Sequence, residues 1–129
     1  MMPDVRESPS VADELRRFVR AFEQADRATL DALLSHEPGF LLIGSHGQWM
    51  SDRNLVLDAL VNESLQTRPR VLGGAIAAYE SGDLAWAADN LTWTYPGGKS
   101  LEYRWTVVLH RSDGAWKIVQ SHLSAPEQD

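Results

Sequence analysis

Asp113-Gly114 lies between two β-rich runs, Thr106-Val107-Val108-Leu109 before it and Trp116-Lys117-Ile118-Val119 after it. A two-residue turn that follows the twist of its strands needs positive φ at both central positions, and Asp-Gly meets that demand at low cost. The pair therefore predicts an antiparallel hairpin near the end of the chain. The runs upstream extend it into a meander: strand over 70–80 with a bulge or bend at Gly73-Gly74, a turn at Ser81-Gly82-Asp83, strand over 84–95, then 101–110 and 116–123.

Helical spacing dominates the other half of the sequence. Ser8-Pro9 or Ser10 caps a first helix, in which Val11, Leu15, Phe18, Val19 and Phe22 make one apolar face. Arg16, Arg17, Arg20 and Glu23 fall on the opposite face and read as solvated surface. Asp26 opens a short second helix with Leu30, Leu33 and Leu34 on one side, closed by Pro38-Gly39. Phe40 to Gly44 reads as a short buried strand and Ser45 to Gln48 as a turn. Ser51 reads as the cap of a third helix with Leu55, Val56, Leu60 and Val61 turned inward. Residues 1–9 are expected as a flexible tail and 10–126 as one domain. The order helix, helix, strand, helix, then four long antiparallel strands is an α+β plan with helices packed on one face of a curved sheet.

Strand alternation sorts the side chains that could carry chemistry. On the last strand Trp116, Ile118, Gln120, His122 and Ser124 share a face, and the bulky Trp assigns it to the concave side. Gln120 and His122 then point toward a cavity, while Lys117, Val119 and Leu123 fall on the convex face. His122 is either a structural hydrogen-bonding residue or an acid or base, since histidine alone titrates near neutral pH without help. Asp89 shares a face with Leu91, Trp93 and Tyr95. Turned inward it would be a general acid or base in apolar surroundings; turned outward it is a surface carboxylate. Arg104 reads as a convex-face residue. Trp49, His46 and Asp52 precede the third helix, with Trp49 a candidate lid and Asp52 a first-turn charge. His36, Glu37, His46, His110 and His122 show no ligand spacing, so no metal site is expected.

The Thr-rich strand, the Asp-Gly turn and Trp116-Lys117-Ile118-Val119-Gln120-Ser121-His122-Leu123-Ser124 resemble the closing hairpin of the SnoaL-like branch of the nuclear transport factor 2 (NTF2)-like superfamily. The resemblance implies the cone-shaped fold of the ketosteroid isomerases, with three N-terminal helices on a strongly curved antiparallel sheet. It also implies a cofactor-free pocket. Ketosteroid isomerases use a tyrosine on the first helix and an aspartate on the strand after the second; here those regions offer Phe18 and Phe22, and Phe40 to Gly44. Epoxide hydrolases of the fold use an Asp-Arg-Asp network, of which Asp89 and Arg104 supply part only if both point inward. The same hairpin is similar to that of a calcium/calmodulin-dependent kinase association domain, so the motif serves enzymes and scaffolds alike.

Composition narrows the classes of partner. A net charge of −6 over 129 residues opposes nucleic-acid binding. The longest apolar run, Phe40 to Ile43, is far short of a membrane span, and the polar first ten residues lack a secretory core, so a cytoplasmic protein is expected. The chain has no cysteine, hence no disulfide or thiol chemistry. The expected function is binding of a small, mostly apolar organic molecule in a cone lined by Phe18, Phe22, Trp49, Trp93, Tyr95, Trp105 and Gln120. Acid–base catalysis of isomerase, cyclase or hydratase type would fall to His122, assisted by Asp89 or Tyr95. A homodimer through the sheet is expected. The alternative is a non-catalytic dimerisation or interaction module of the same fold.

Overall fold

The computed structural model describes residues 4–126. Three helices, α1 (Pro9–Glu23), α2 (Arg27–Leu33) and α3 (Arg53–Thr67), lie with eight strands: β1 (Arg6–Glu7), β2 (Leu41–Ile43), β3 (Trp49–Met50), β4 (Arg70–Gly73), β5 (Ala77–Ser81), β6 (Leu84–Thr94), β7 (Ser100–Ser112) and β8 (Ala115–Ser124). The strands form one sheet in the order β1-β5-β6-β7-β8-β2-β3, with β4 also on β6. All pairings are antiparallel except β2 with β8. The α+β plan holds, and the sheet stays open rather than closing into a barrel. None of the described helices is long and apolar enough to cross a membrane.

Local chemistry explains where the helices start and stop. Ser8 Oγ accepts the Val11 N–H at 3.3 Å with Pro9 in the first turn, so the cap of α1 is Ser8. Asp26 caps α2 by accepting from both the Thr29 N–H, at 3.2 Å, and the Thr29 hydroxyl, at 2.7 Å. Asp52 rather than Ser51 caps α3, taking the N–H groups of Asn54 and Leu55. Along α3 the buried line runs through Val56, Leu57 and Ser64, with Leu60 and Val61 half-buried; Leu55 lies one position off it and is exposed. Arg68, in the left-handed region at φ 46°, and then Pro69 end the helix.

The sheet departs from expectation in two places. Residues 70–80 are two strands, β4 and β5, lying end to end along β6, because the chain bends at Gly74. Glu23, expected on the solvated face of α1, is half-buried, and its carboxylate accepts the Val71 N–H of β4 at 3.1 Å. The Asp113-Gly114 turn has φ of 52° and 79°, the double positive φ its sequence demands. Farther along the hairpin the register shifts: Val108 pairs with Gln120 but Leu109 with Ile118, leaving Val119 without a partner on β7. This bulge reverses the alternation of β8. Trp116 and Ile118 are inward before it, Ser121 and Leu123 after it.

The expected tail is in part a strand. Met1 to Pro3 lie outside the described residues, but β1 pairs with β5 and Ser8 N–H donates to Ala78 O at 2.9 Å. Glu80, with a side chain 8% exposed, joins the two segments. It accepts from Arg6 Nε and Nη2 at 3.0 and 2.7 Å, from Ser8 Oγ at 2.5 Å and from Arg111 Nη2 at 3.4 Å. Arg111 in turn stacks on Trp116, 4.3 Å from its ring centre. The Ser8 hydroxyl and then the Arg6 guanidinium hold the Glu80 carboxyl below its ordinary pKa. A depressed folded-state pKa adds stability above the ordinary carboxylate range, lost as pH falls through the folded value. Glu80→Gln is therefore expected to lower Tm at pH 7, with the difference from the parent protein shrinking below about pH 4. Thermal melts from pH 3 to 8 check this, and a constant difference would refute it.

Candidate functional site

The helices cover one face of the sheet, and between α1, α3 and the far ends of β6, β7 and β8 they leave a cavity of about 110 Å3. Phe18, Val19 and Phe22 project into it from α1 and Leu60 from α3. The sheet contributes Leu42, Ile43 and Gly44 from β2 and the residue after it, Val71 from β4, Leu91 and Trp93 from β6, Trp105 from β7, and Ser121 and Leu123 from β8. Helical spacing puts Phe18 and Phe22 on one stripe, and strand alternation puts Leu91 and Trp93 on one face. Aromatic packing stiffens the wall: Phe18 stacks on Trp105 with centroids 5.8 Å apart, and Trp93 meets Phe22 at 5.2 Å and Tyr103 at 5.3 Å.

None of the described residues lining this space is titratable. Its polar side-chain groups are the Ser121 hydroxyl and the indole N–H groups of Trp93 and Trp105. Trp105 Nε1 donates to Ser121 Oγ at 2.8 Å. Trp93 Nε1 is buried with no hydrogen-bond partner among the described residues. The wall is therefore almost wholly apolar and carries no charge.

Of the residues expected at the site, Phe18, Phe22, Trp93 and Trp105 line the cavity. His122 and Gln120 do not. The bulge at Val119 turns both to the convex face, where they lie in a shallow groove with Tyr79, Trp86, Thr106 and Val108. Leu123, expected on the convex face, lines the cavity for the same reason, and so does Ser121. Trp49 is 71% exposed and does not line the cavity. Tyr95 lies beyond the end of β6, its phenol pushed up to about 12 first by burial and then by the Tyr103 hydroxyl, so it stays protonated at neutral pH.

Asp89 does face the helices and is buried. Its carboxylate, however, is turned to the bend after β4, where Oδ1 accepts the Gly74 N–H at 3.0 Å. A Cβ on Gly73 would lie 2.8 Å from Asp89 Oδ2, so the glycine makes room for the carboxylate. Asp89 secures a chain bend and does not line the cavity. Arg104 is exposed on the convex face, as its position suggested. Among the described residues no group of three His, Asp or Glu side chains is placed to hold a metal ion.

A mixed, mainly antiparallel sheet with three helices over one face and an apolar space between the layers defines a domain of NTF2-like architecture. The family model for the SnoaL-like domain matches residues 11–128, and the chain belongs to that family. No curated protein matches its sequence. Among solved structures it is similar to a proposed dehydratase of the NTF2-like family from Streptomyces avermitilis, with 20% identity, TM-score 0.82, and 92% of this chain and 94% of that one covered. A proposed calcium/calmodulin-dependent protein kinase II association domain from Xanthomonas campestris aligns at 20% identity and TM-score 0.77, covering 96% and 91%. An NTF2-like protein from Cytophaga hutchinsonii aligns at 18% identity and TM-score 0.75, covering 90% and 95%. At these identities the likeness is one of fold.

The two sides of the sheet predict opposite responses to truncation. His122→Ala, at an exposed position, is expected to change unfolding free energy by no more than about 0.5 kcal/mol. Phe22→Ala, 4% exposed and packed on Trp93, is expected to cost about 3–5 kcal/mol. Urea denaturation of both variants checks the assignment; a loss of about 2 kcal/mol or more in His122→Ala would return that side chain to the core.

Proposed function

We propose that the protein binds a small, neutral, mostly apolar organic molecule, about the size of a single six-membered ring, in the cavity under α1. The observation that carries this reading is the wall itself: a pocket of about 110 Å3 lined by Phe, Leu, Val, Ile and Trp, with one hydroxyl and no charge. An apolar cavity of roughly 150 Å3 stays dry and takes benzene. An ion entering such a wall would lose its hydration without gaining a partner. Binding is favoured over acid–base turnover by His122 or Asp89 because neither side chain lines this space. The Streptomyces protein is described as a proposed dehydratase, and dehydration needs one group to take a proton and another to give one. The described lining residues of this cavity supply no such pair.

Single-ring probes of different charge test the reading. Toluene is expected to raise Tm, the shift growing with the logarithm of its concentration above Kd, as for any ligand specific to the folded state. Benzoate and benzylammonium, of similar size, are expected to leave Tm unchanged at the same concentrations. Leu60→Trp, which fills the space, is expected to abolish the toluene effect. Equal responses to toluene and benzoate would overturn the proposal.

A second reading concerns the opposite face. Trp86 is 42% exposed and Val108 37%, and together with Leu84, Ala88 and Thr106 they give the convex side of β6 and β7 an apolar centre. The Xanthomonas structure is described as an association domain, which favours the same use here: pairing of two copies sheet to sheet, with His122 and Gln120 at the contact. Trp86→Glu is expected to shift the protein from dimer to monomer in sedimentation equilibrium. A parent protein that sediments as a monomer at high concentration would remove this reading and leave the cavity proposal untouched.

A further inference from the structure

Ser121 is 8% exposed and lines the cavity. Its oxygen accepts the Trp105 Nε1–H at 2.8 Å, which commits one lone pair to the indole and directs the hydroxyl proton elsewhere. That proton has no acceptor among the described residues. On the same wall Trp93 Nε1 is a second buried donor without a partner. A buried donor left unpaired is costly, and a bound molecule that supplies an acceptor removes the cost.

We infer that Ser121 is the polar anchor of the cavity and donates its hydroxyl proton to the carbonyl oxygen of a neutral cyclic ligand, a ketone or lactone rather than a hydrocarbon, an alcohol or an acid. The inference rests on the cavity reading above and sharpens it. A ketone brings an acceptor and no proton of its own. An alcohol brings a further proton into a wall of Phe, Leu and Trp side chains. A carboxylate brings a charge that no lining residue offsets. Trp105 acts through Ser121, holding its oxygen so that the proton is free for the ligand.

Cyclohexanone and methylenecyclohexane share a ring and differ in C=O against C=CH2, so they isolate the contact. Affinities of both are measured on the full chain by tryptophan fluorescence, with the parent protein and with Ser121→Ala. The variant is expected to weaken cyclohexanone about fivefold relative to methylenecyclohexane, the worth of one neutral hydrogen bond. The variant also frees the Trp105 Nε1–H, a second donor that the ketone alone can use, so Ser121→Ala/Trp105→Phe is measured beside it; a ratio unchanged from the parent protein in both variants overturns the inference. The carbonyl stretch of cyclohexanone bound to the parent protein provides a readout that needs no variant. It is expected below its position in hexane, and a hexane-like frequency overturns the inference. If methylenecyclohexane binds and the ketone shows no hydrogen bond, only this inference falls. If neither probe binds the parent protein, the cavity reading falls and this inference with it.

Discussion

Between Val108 and Leu109 the register of β7 against β8 changes by one residue, and Val119 is accommodated without a partner. The hairpin is pinned at its turn by the two positive φ angles of Asp113 and Gly114, so the extra residue cannot be absorbed there. It is absorbed in mid-strand, and every side chain of β8 beyond it changes face. Before the bulge Trp116 and Ile118 pack toward the helices, with Arg111 lying over the Trp116 ring. After it Ser121 and Leu123 take the inward positions and close the cavity beside Trp105. The polarity of the cavity and the composition of the convex groove both follow from that single residue.

With His122 outside, the space under α1 has the character of a packed core that stops short of filling. Its walls are made by the same apolar stripes that stabilise the fold, Phe18 and Phe22 on α1 and Leu91 and Trp93 on β6. Its one hydroxyl is already engaged as an acceptor by Trp105. On the proposals above, such a site would select by shape, by exclusion of charge and by one directed proton. The buried carboxylate nearest in the fold, Asp89, is occupied with the Gly74 N–H at the bend between β4 and β5. The tyrosine and aspartate that the resemblance to ketosteroid isomerases would place on the first helix and on the strand after the second have no counterpart in this chain, which carries Phe18, Phe22 and Phe40 to Gly44 in those regions.

Much of the architecture could be read from local sequence chemistry. Asp113-Gly114 specified its turn, Pro9 and the Ser and Asp residues marked helix starts to within a residue, and alternation put Arg104 on the convex face of β7; on β6 it grouped Asp89 with Leu91 and Trp93 but left open which way they faced. What escaped depended on contacts distant in sequence. β1 exists because Arg6 and Ser8 meet Glu80, more than 70 residues away, and nothing in Val5-Arg6-Glu7 announces a strand. The break between β4 and β5 was visible as Gly73-Gly74, but not that Asp89 would fill the space beside it. The bulge left one trace, Leu123, an apolar residue on the wrong parity for a regular strand that starts with Trp116 and Ile118. Of the four inward residues of β8, Trp116, Ile118 and Leu123 are large and apolar but Ser121 is not, so the shift in period stayed hidden and His122 was assigned to the wrong side.

The arrangement makes the two faces of the sheet nearly independent, although they alternate along the same strands. Ser121 and His122 are neighbours in sequence, yet one touches the cavity and the other lies in the groove with Trp86 and Val108. Side chains on one face meet those of the other only through the backbone that carries them, which the ladder holds in place. The two proposals therefore rest on different side chains, Trp86 and Val108 in the convex groove and Ser121 and Leu60 at the cavity. In this chain the separation hinges on Val119: deleting it would restore regular alternation, bring His122 inward and send Ser121 out, exchanging an uncharged wall for one with a titratable group.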